Sequence, residues 1–244
     1  MILVIGGTKG IGLAIARWLA KPGVQFFLGY HSDDAAAATA KAEIESLGAR
    51  ATTIKRDVGT IGGCTSIMQQ IDTAREEPLH IIHSAATVYP TGLLDADLEK
   101  LTRAIQTNGL SLLYLVQKAL PKLSRGSSIV FISSAGSRHV GRGYGALGPA
   151  KALAESIMHY LVPELAPRGI RINAVAPGTV RTGSVAKMVG NAEAAEIALL
   201  RATQANPSGR LCRDSDYASV VEFLISPNAE FVQGQMIDAN GGTS

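Results

Sequence analysis

The chain has 244 residues, 46% of them hydrophobic and 18% charged, with a formal net charge of +3. That length can bury a sizeable core as one large α/β domain or two small ones. The mild charge is not the footprint of a nucleic-acid binder, and the two cysteines, Cys64 and Cys212, match neither a metal-ligand spacing nor a disulfide framework. No basic leader and no long apolar run is visible, so the expectation is a cytoplasmic protein without a membrane segment or metal.

Apolar runs alternate with helical patterns throughout, the signature of βαβ units and a parallel sheet. Residues 2–5 read as a short, wholly apolar strand, as suits a strand covered on both faces. Ile11, Ile15, Trp18 and Leu19 recur at helical spacing. Residues 24–28 read as the second strand and 35–47 as the second helix, its alanine cluster included. Further strands are expected at 51–55, 79–83, 128–133, 170–175 and 235–239, with helices between them. A helix starts at Gly148-Pro149, since proline suits a first turn. Residues 177–213 form a long irregular stretch with a helical pattern at 192–203, and stretches of that length are usually lids or binding loops. The expectation is an α/β fold: one doubly wound Rossmann-type domain over 1–244, with a parallel sheet of about seven strands and a substrate-covering region at 178–213.

Gly6, Gly10 and Gly12 follow the first strand and open the first helix. Glycines let backbone amides at a helix start approach a pyrophosphate. The spacing is Gly-x3-Gly-x-Gly, and it resembles the cofactor turn of the short-chain dehydrogenase/reductase family. Ile5 stands where that family usually has threonine. The resemblance runs the length of the chain. Asp57-Val58 is similar to the family's adenine-contacting pair. His83-Ser84-Ala85-Ala86 occupies the place of its Asn-Asn-Ala-Gly segment, keeping Ala85. Asn108 matches the asparagine of a water-mediated proton relay, and the segment from Asn173 through Pro177 and Gly178 to Val180 and Thr182 resembles the part that holds the nicotinamide amide. The resemblance implies a nicotinamide cofactor held by Gly6, Thr8, Lys9, Gly10, Ile11, Gly12, Tyr30, His31, Asp57, Val58, Ser84, Ala85, Lys151, Pro177, Gly178, Val180 and Thr182.

An NAD enzyme of this architecture usually carries a carboxylate at the end of the second strand, for the ribose 2′-hydroxyl. Here that strand runs into Gly29-Tyr30-His31-Ser32, and Asp33 and Asp34 come later. Nothing there repels a 2′-phosphate, and Lys9 in the glycine turn can pair with one as a point charge. NADPH is therefore expected, with NADH possible.

The catalytic pattern is displaced. Most of the family carries Tyr-x3-Lys on one helical face, where the lysine lowers the tyrosine pKa for proton transfer. Lys151 and Ser134 sit in their family places, but Leu147 occupies the tyrosine position and Tyr144 lies three residues upstream. Tyr-x6-Lys resembles the enoyl-acyl-carrier-protein reductases of the family, and Ser133-Ser134-Ala135-Gly136-Ser137 is similar to their NADPH-dependent branch. The resemblance implies Tyr144, Lys151, Ser134 and Asn108 as catalytic residues and reduction of a trans-2-enoyl thioester in fatty acid synthesis. It also implies an acyl thioester on an acyl carrier protein or coenzyme A as partner, and a homotetramer. Two other readings remain open: a carbonyl or 3-ketoacyl reductase with a displaced tyrosine, and a non-catalytic NADP(H)-binding sensor or scaffold.

Overall fold

The structure, a computed structural model, describes residues 1–72 and 77–243. Seven parallel strands form one sheet: β1 (Ile2–Ile5), β2 (Gln25–Tyr30), β3 (Arg50–Lys55), β4 (His80–His83), β5 (Ser128–Ile132), β6 (Arg171–Pro177) and β7 (Met236–Ala239). Their spatial order is β3-β2-β1-β4-β5-β6-β7. The chain winds outward from β1 to β3, then restarts beside β1 at β4, so the sheet has its switch point between β1 and β4. Ligands of such sheets bind at the carboxyl ends of the strands beside that point.

Side chains of each central strand alternate between two apolar layers, as the period of two requires. Leu3, Ile81, Phe131 and Ile172 face helices α3 (Ile61–Gln69), α5 (Ser111–Ala119) and α6 (Gly148–Leu165). Val4, Ile82, Val130 and Val175 face α1 (Gly10–Leu19), α2 (Asp34–Ser46) and α9 (Asp214–Ile225). Every residue of β1 and β5 is buried, which explains why these segments are uniformly apolar or small.

The boundaries differ from the sequence reading where pairing overrides local pattern. Gly29 and Tyr30 extend β2 because Ile54 and Lys55 of β3 pair with them. Ala176 and Pro177 extend β6 against Asp238 and Ala239 of β7. Residues 177–213 hold two helices rather than one, α7 (Gly183–Val189) and α8 (Ala192–Ala205). Gly190, at φ 100°, ends the first, and the Asn191 side chain caps the second by accepting from the Ala194 amide at 2.8 Å. Trp18, expected on the buried face of its helix, is 45% exposed and donates to Glu222 across to α9 at 2.7 Å. The remaining helix, α4 (Leu98–Ile105), continues through a π-helical turn at Gln106–Leu110 into α5. No helix among the described residues is long and apolar enough to cross a membrane.

Candidate active site

The glycine turn is built by close approach. A Cβ on Gly12 would lie 2.3 Å from the Gly6 carbonyl oxygen, and one on Gly6 would lie 2.9 Å from the Ala85 backbone. The turn is thus pressed onto the segment that follows β4, and Gly6 at φ 75° bends it there. Gly10, at φ 51°, faces the other way: its nearest neighbour outside the turn is the Thr182 methyl, 3.6 Å from where a Cβ would stand. Lys9 is the N-cap of α1 and makes no side-chain cap bond, so the helix's first amides point into this opening. A cradle of bare amides at a helix start fits a pyrophosphate. Thr8 is buried beneath the turn and Ile11 is half-buried.

The adenosine edge is wet and paired. Lys9 forms an ion pair with Asp33, which also caps α2 by accepting from the Ala36 amide at 2.9 Å. Tyr30 donates to Asp34 at 2.8 Å, Lys55 donates to its other oxygen at 2.7 Å, and His31 lies 4.0 Å from Asp57. Asp57 is oriented by the Gly59 amide at 2.8 Å. The Val58 side chain is buried in the core, so only its backbone is available to an adenine ring. Lys9, expected to meet a 2′-phosphate, thus already holds a carboxylate.

The other edge is dry. Lys151 is 4% exposed; its ammonium donates to the Ile132 carbonyl at 2.7 Å and lies 4.3 Å from the Phe131 ring centre. Burial pulls its pKa down to about 7, against a smaller upward pull from Glu155. His83 is fully buried beside Phe131, and burial, then the Lys151 charge, drives it down to about 3, a neutral imidazole. Ser111 donates to the Thr107 carbonyl at 2.6 Å, which leaves its oxygen to accept from His83 Nε2 at 2.8 Å. The residue that departs from the family's asparagine thus ties β4 to the π-helical turn. Turns of this kind often sit at functional sites.

That turn holds Asn108, whose amide is fully engaged by Thr87: it accepts from the Thr87 amide at 2.8 Å and donates to the Thr87 carbonyl at 2.9 Å. The side chain is thereby a staple for the segment after β4.

Ser134 follows β5 with its oxygen accepting from the Gly136 amide at 3.2 Å, so its own proton is free to donate. Ser133 instead points to Glu155, at 2.5 Å. The Tyr144 ring packs against Gly136: a Cβ there would meet two ring carbons at 2.6 and 2.7 Å, with Ser134 Oγ 3.5 Å from the same point. Tyr144 and Ser134 therefore flank one small gap. Tyr144 is half-buried, and its hydroxyl has no hydrogen-bond partner among the described residues. Leu147 is 8% exposed and packed away. Tyr144 precedes α6, as expected, but not on free loop: its carbonyl accepts from the Leu147 and Gly148 amides at 3.1 and 2.8 Å.

Pro177 ends β6, and Gly178 passes so close to Asn240 that a Cβ would sit 3.1 Å from its Cα. Val180 packs on the α1 side of the sheet, and Thr182 begins α7 over the glycine turn. Ser84 and Ala85 pack against the glycine turn at Gly6 and Gly12. Sequence reasoning missed Ser111, Thr91 and Glu155. Only the helical spacing of Glu155, four residues after Lys151, was a signal that could have found one of them.

The sequence pattern of the family described as enoyl-(acyl carrier protein) reductase matches residues 6–244. An NADPH-dependent aldehyde reductase-like protein of Arabidopsis thaliana is 29% identical, aligned over 98% of this chain and 92% of its own length. A 1-cyclohexenylcarbonyl-CoA reductase of Streptomyces collinus is 28% identical, over 99% and 86%. The solved angucycline C-6 ketoreductase LanV with bound NADP superposes with a TM-score of 0.88 at 28% identity, covering 99% of this chain and 94% of that one. The chain belongs to the short-chain dehydrogenase/reductase family. It is an oxidoreductase built around a nicotinamide dinucleotide.

Proposed function

We propose that this protein reduces the conjugated C=C bond of trans-2-enoyl thioesters with NADPH, as an enoyl-acyl-carrier-protein reductase does. The observation that carries the reading is the place of Tyr144: its ring stands beside Ser134 over Gly136, while Leu147 is packed away where a ketone-reducing tyrosine would stand. NADPH is supported by the NADP-bound ketoreductase and the NADPH-dependent relative. The glycine turn, Thr182 and Lys151 hold the cofactor, which when bound supplies a hydride.

In ketone reduction the hydride and the proton go to adjacent atoms. In enoyl thioester reduction the hydride goes to the β-carbon while charge develops on the thioester oxygen, two bonds further away. A phenol set back from the lysine by a further turn suits that longer span. Tyr144 donates to this oxygen as charge appears, where a fixed donor stabilises the transition state most. Ser134, with its proton unclaimed, donates a second hydrogen bond or positions the thioester. Lys151 is buried deeply enough to lose its charge near neutral pH, so the protonated form is the one that holds the ribose and keeps the site positive.

Residues 178–213 cover the acyl chain in this reading, with Val185 and Met188 half-buried and Val189, Ile197 and Leu200 exposed on α7 and α8. Arg138 and Arg181 are spent on Asp238 and Glu196. Among the described residues Arg142 and Lys187 form no ion pair, and both are exposed, suited to an acidic carrier or a coenzyme phosphate. The second reading, a carbonyl reductase, is favoured by the names of the aldehyde reductase and the ketoreductase LanV. The product formed from crotonyl and acetoacetyl thioesters separates them, while Tyr144→Phe tests the phenol's role: it should cost turnover of an enoyl thioester about a hundredfold or more and leave NADPH affinity unchanged. Full activity of this variant on enoyl thioesters would remove the proposal.

A further inference from the structure

A tyrosine one turn before Lys151 would stand at the N-cap of α6, where the Leu147 carbonyl accepts from the Lys151 amide at 3.0 Å. Tyr144 lies outside that helix, so something else must fix its ring to within the tolerance catalysis demands. The structure shows what does. Thr91, in the segment after β4, forms a two-bond backbone bridge around Tyr144: its amide donates to the Gly143 carbonyl at 3.0 Å, and its carbonyl accepts from the Gly145 amide at 3.1 Å. The Tyr144 amide donates to the Gly141 carbonyl at 3.1 Å, and its carbonyl is held by the first amides of α6. The peptide groups on both sides of this residue are thus committed.

The side chain is set by absences. Gly136 leaves room for the ring face: a Cβ there would overlap two ring carbons at 2.6 and 2.7 Å. Gly141 meets the other part of the ring, a Cβ standing 3.5 Å from Cγ and Cδ2. Gly145 allows the Thr91 strap to close, since its Cβ would lie 2.8 Å from the Thr91 carbonyl oxygen and 3.4 Å from Leu93 Cγ. A contact of 2.8 Å with a backbone oxygen is not relieved by side-chain motion, so the strap must move.

We infer that residues 90–93, through the Thr91 bridge, and Gly136 are the positioning device for the displaced tyrosine. They do the work that the helix backbone does for a tyrosine at position 147. The inference rests on Tyr144 being the proton donor proposed above. It makes the Thr91 strap and Gly136 positioning elements that touch neither hydride donor nor acceptor, and it makes the tyrosine's placement depend on a segment about fifty residues upstream in the chain.

A double-mutant cycle tests it, with NADPH binding followed by fluorescence as the check on folding. Gly145→Ala should lower kcat for crotonyl thioester about a hundredfold, the cost of displacing a reacting group by an ångström, with the NADPH Kd within about twofold. In a Tyr144→Phe background the same change should cost less than about twofold, because its effect runs through the phenol. Gly136→Ala, which pushes the ring and leaves the bridge intact, should behave the same way and stands in if Gly145→Ala does not fold. Equal losses in both backgrounds, or no loss in either, would overturn the inference while leaving the enoyl reading untouched. If Tyr144→Phe alone is fully active, the enoyl reading falls instead, and the 19F signal of 3-fluorotyrosine at position 144 decides the structural claim. A shift of that signal in Gly145→Ala upholds the strap, and an unchanged signal refutes it.

Discussion

The two ends of the cofactor cleft are built on opposite electrostatic terms. At the adenosine edge, in water, Lys9 and Lys55 already pair with Asp33 and Asp34, and His31 lies 4.0 Å from Asp57. At the other edge, Lys151 and His83 are buried with backbone or hydroxyl partners and no carboxylate bonded to either. Exposed pairs are worth little and exchange partners readily, which suits the proposed contact of Lys9 with a phosphate. Buried groups hold one geometry and shift their protonation, which suits the end where a proton must move. The fold puts glycine close approach at the junction between them.

Breaking that junction should have the largest effect. Gly12→Ala sets a Cβ 2.3 Å from the Gly6 carbonyl, so NADPH affinity should fall more than about a hundredfold, read by fluorescence titration. Circular dichroism would show whether the sheet survives. At the dry end, Lys151→Met keeps the buried stem and removes the cation. It should lower kcat by about two to three orders of magnitude.

The pH dependence sharpens the same contrast. In the proposed mechanism the protonated Lys151 is the active form, and burial draws its pKa down to about 7. Wild-type kcat/KM for NADPH should therefore decline as pH rises through about 7, since this ratio reports the free enzyme. Lys151→Met should flatten that limb. For stability the sign is the same for Lys151 and His83, because each has a folded pKa below its unfolded value. As pH falls from 6.5 towards about 3 the unfolded chain gains a proton on His83 that the folded chain refuses. Stability should then drop by about 1.4 kcal/mol per pH unit from this residue. Urea unfolding at pH 7, 5 and 4 would show it, and His83→Asn should flatten the slope. At the wet end the changes should be smallest. Lys9→Ala should weaken NADPH about fivefold at low salt and NADH hardly at all, and Asp33→Asn, which keeps the cap of α2, should strengthen NADPH by about twofold.

The sheet was legible because period and punctuation agree: apolar runs ending at Ile5 and Ile132 are where the cleft opens. Strand ends were misjudged at Tyr30 and Pro177, where pairing with a neighbouring strand decides and local pattern does not. Within the site, the resemblance to the family is what placed Lys151, Ser134 and the glycines. The commitments of side chains could not be placed that way. That Asn108 is spent on Thr87, Lys9 on Asp33 and His83 on Ser111 depends on residues far off in the chain. The Thr91 bridge carries no sequence signal, since it is made by backbone.

The most direct test offers the wild-type protein and NADPH a crotonyl thioester and an acetoacetyl thioester side by side and identifies the products. The tyrosine's place beside Ser134 predicts rapid formation of the saturated butyryl thioester and little 3-hydroxybutyryl product. Reduction of the acetoacetyl thioester alone would contradict it.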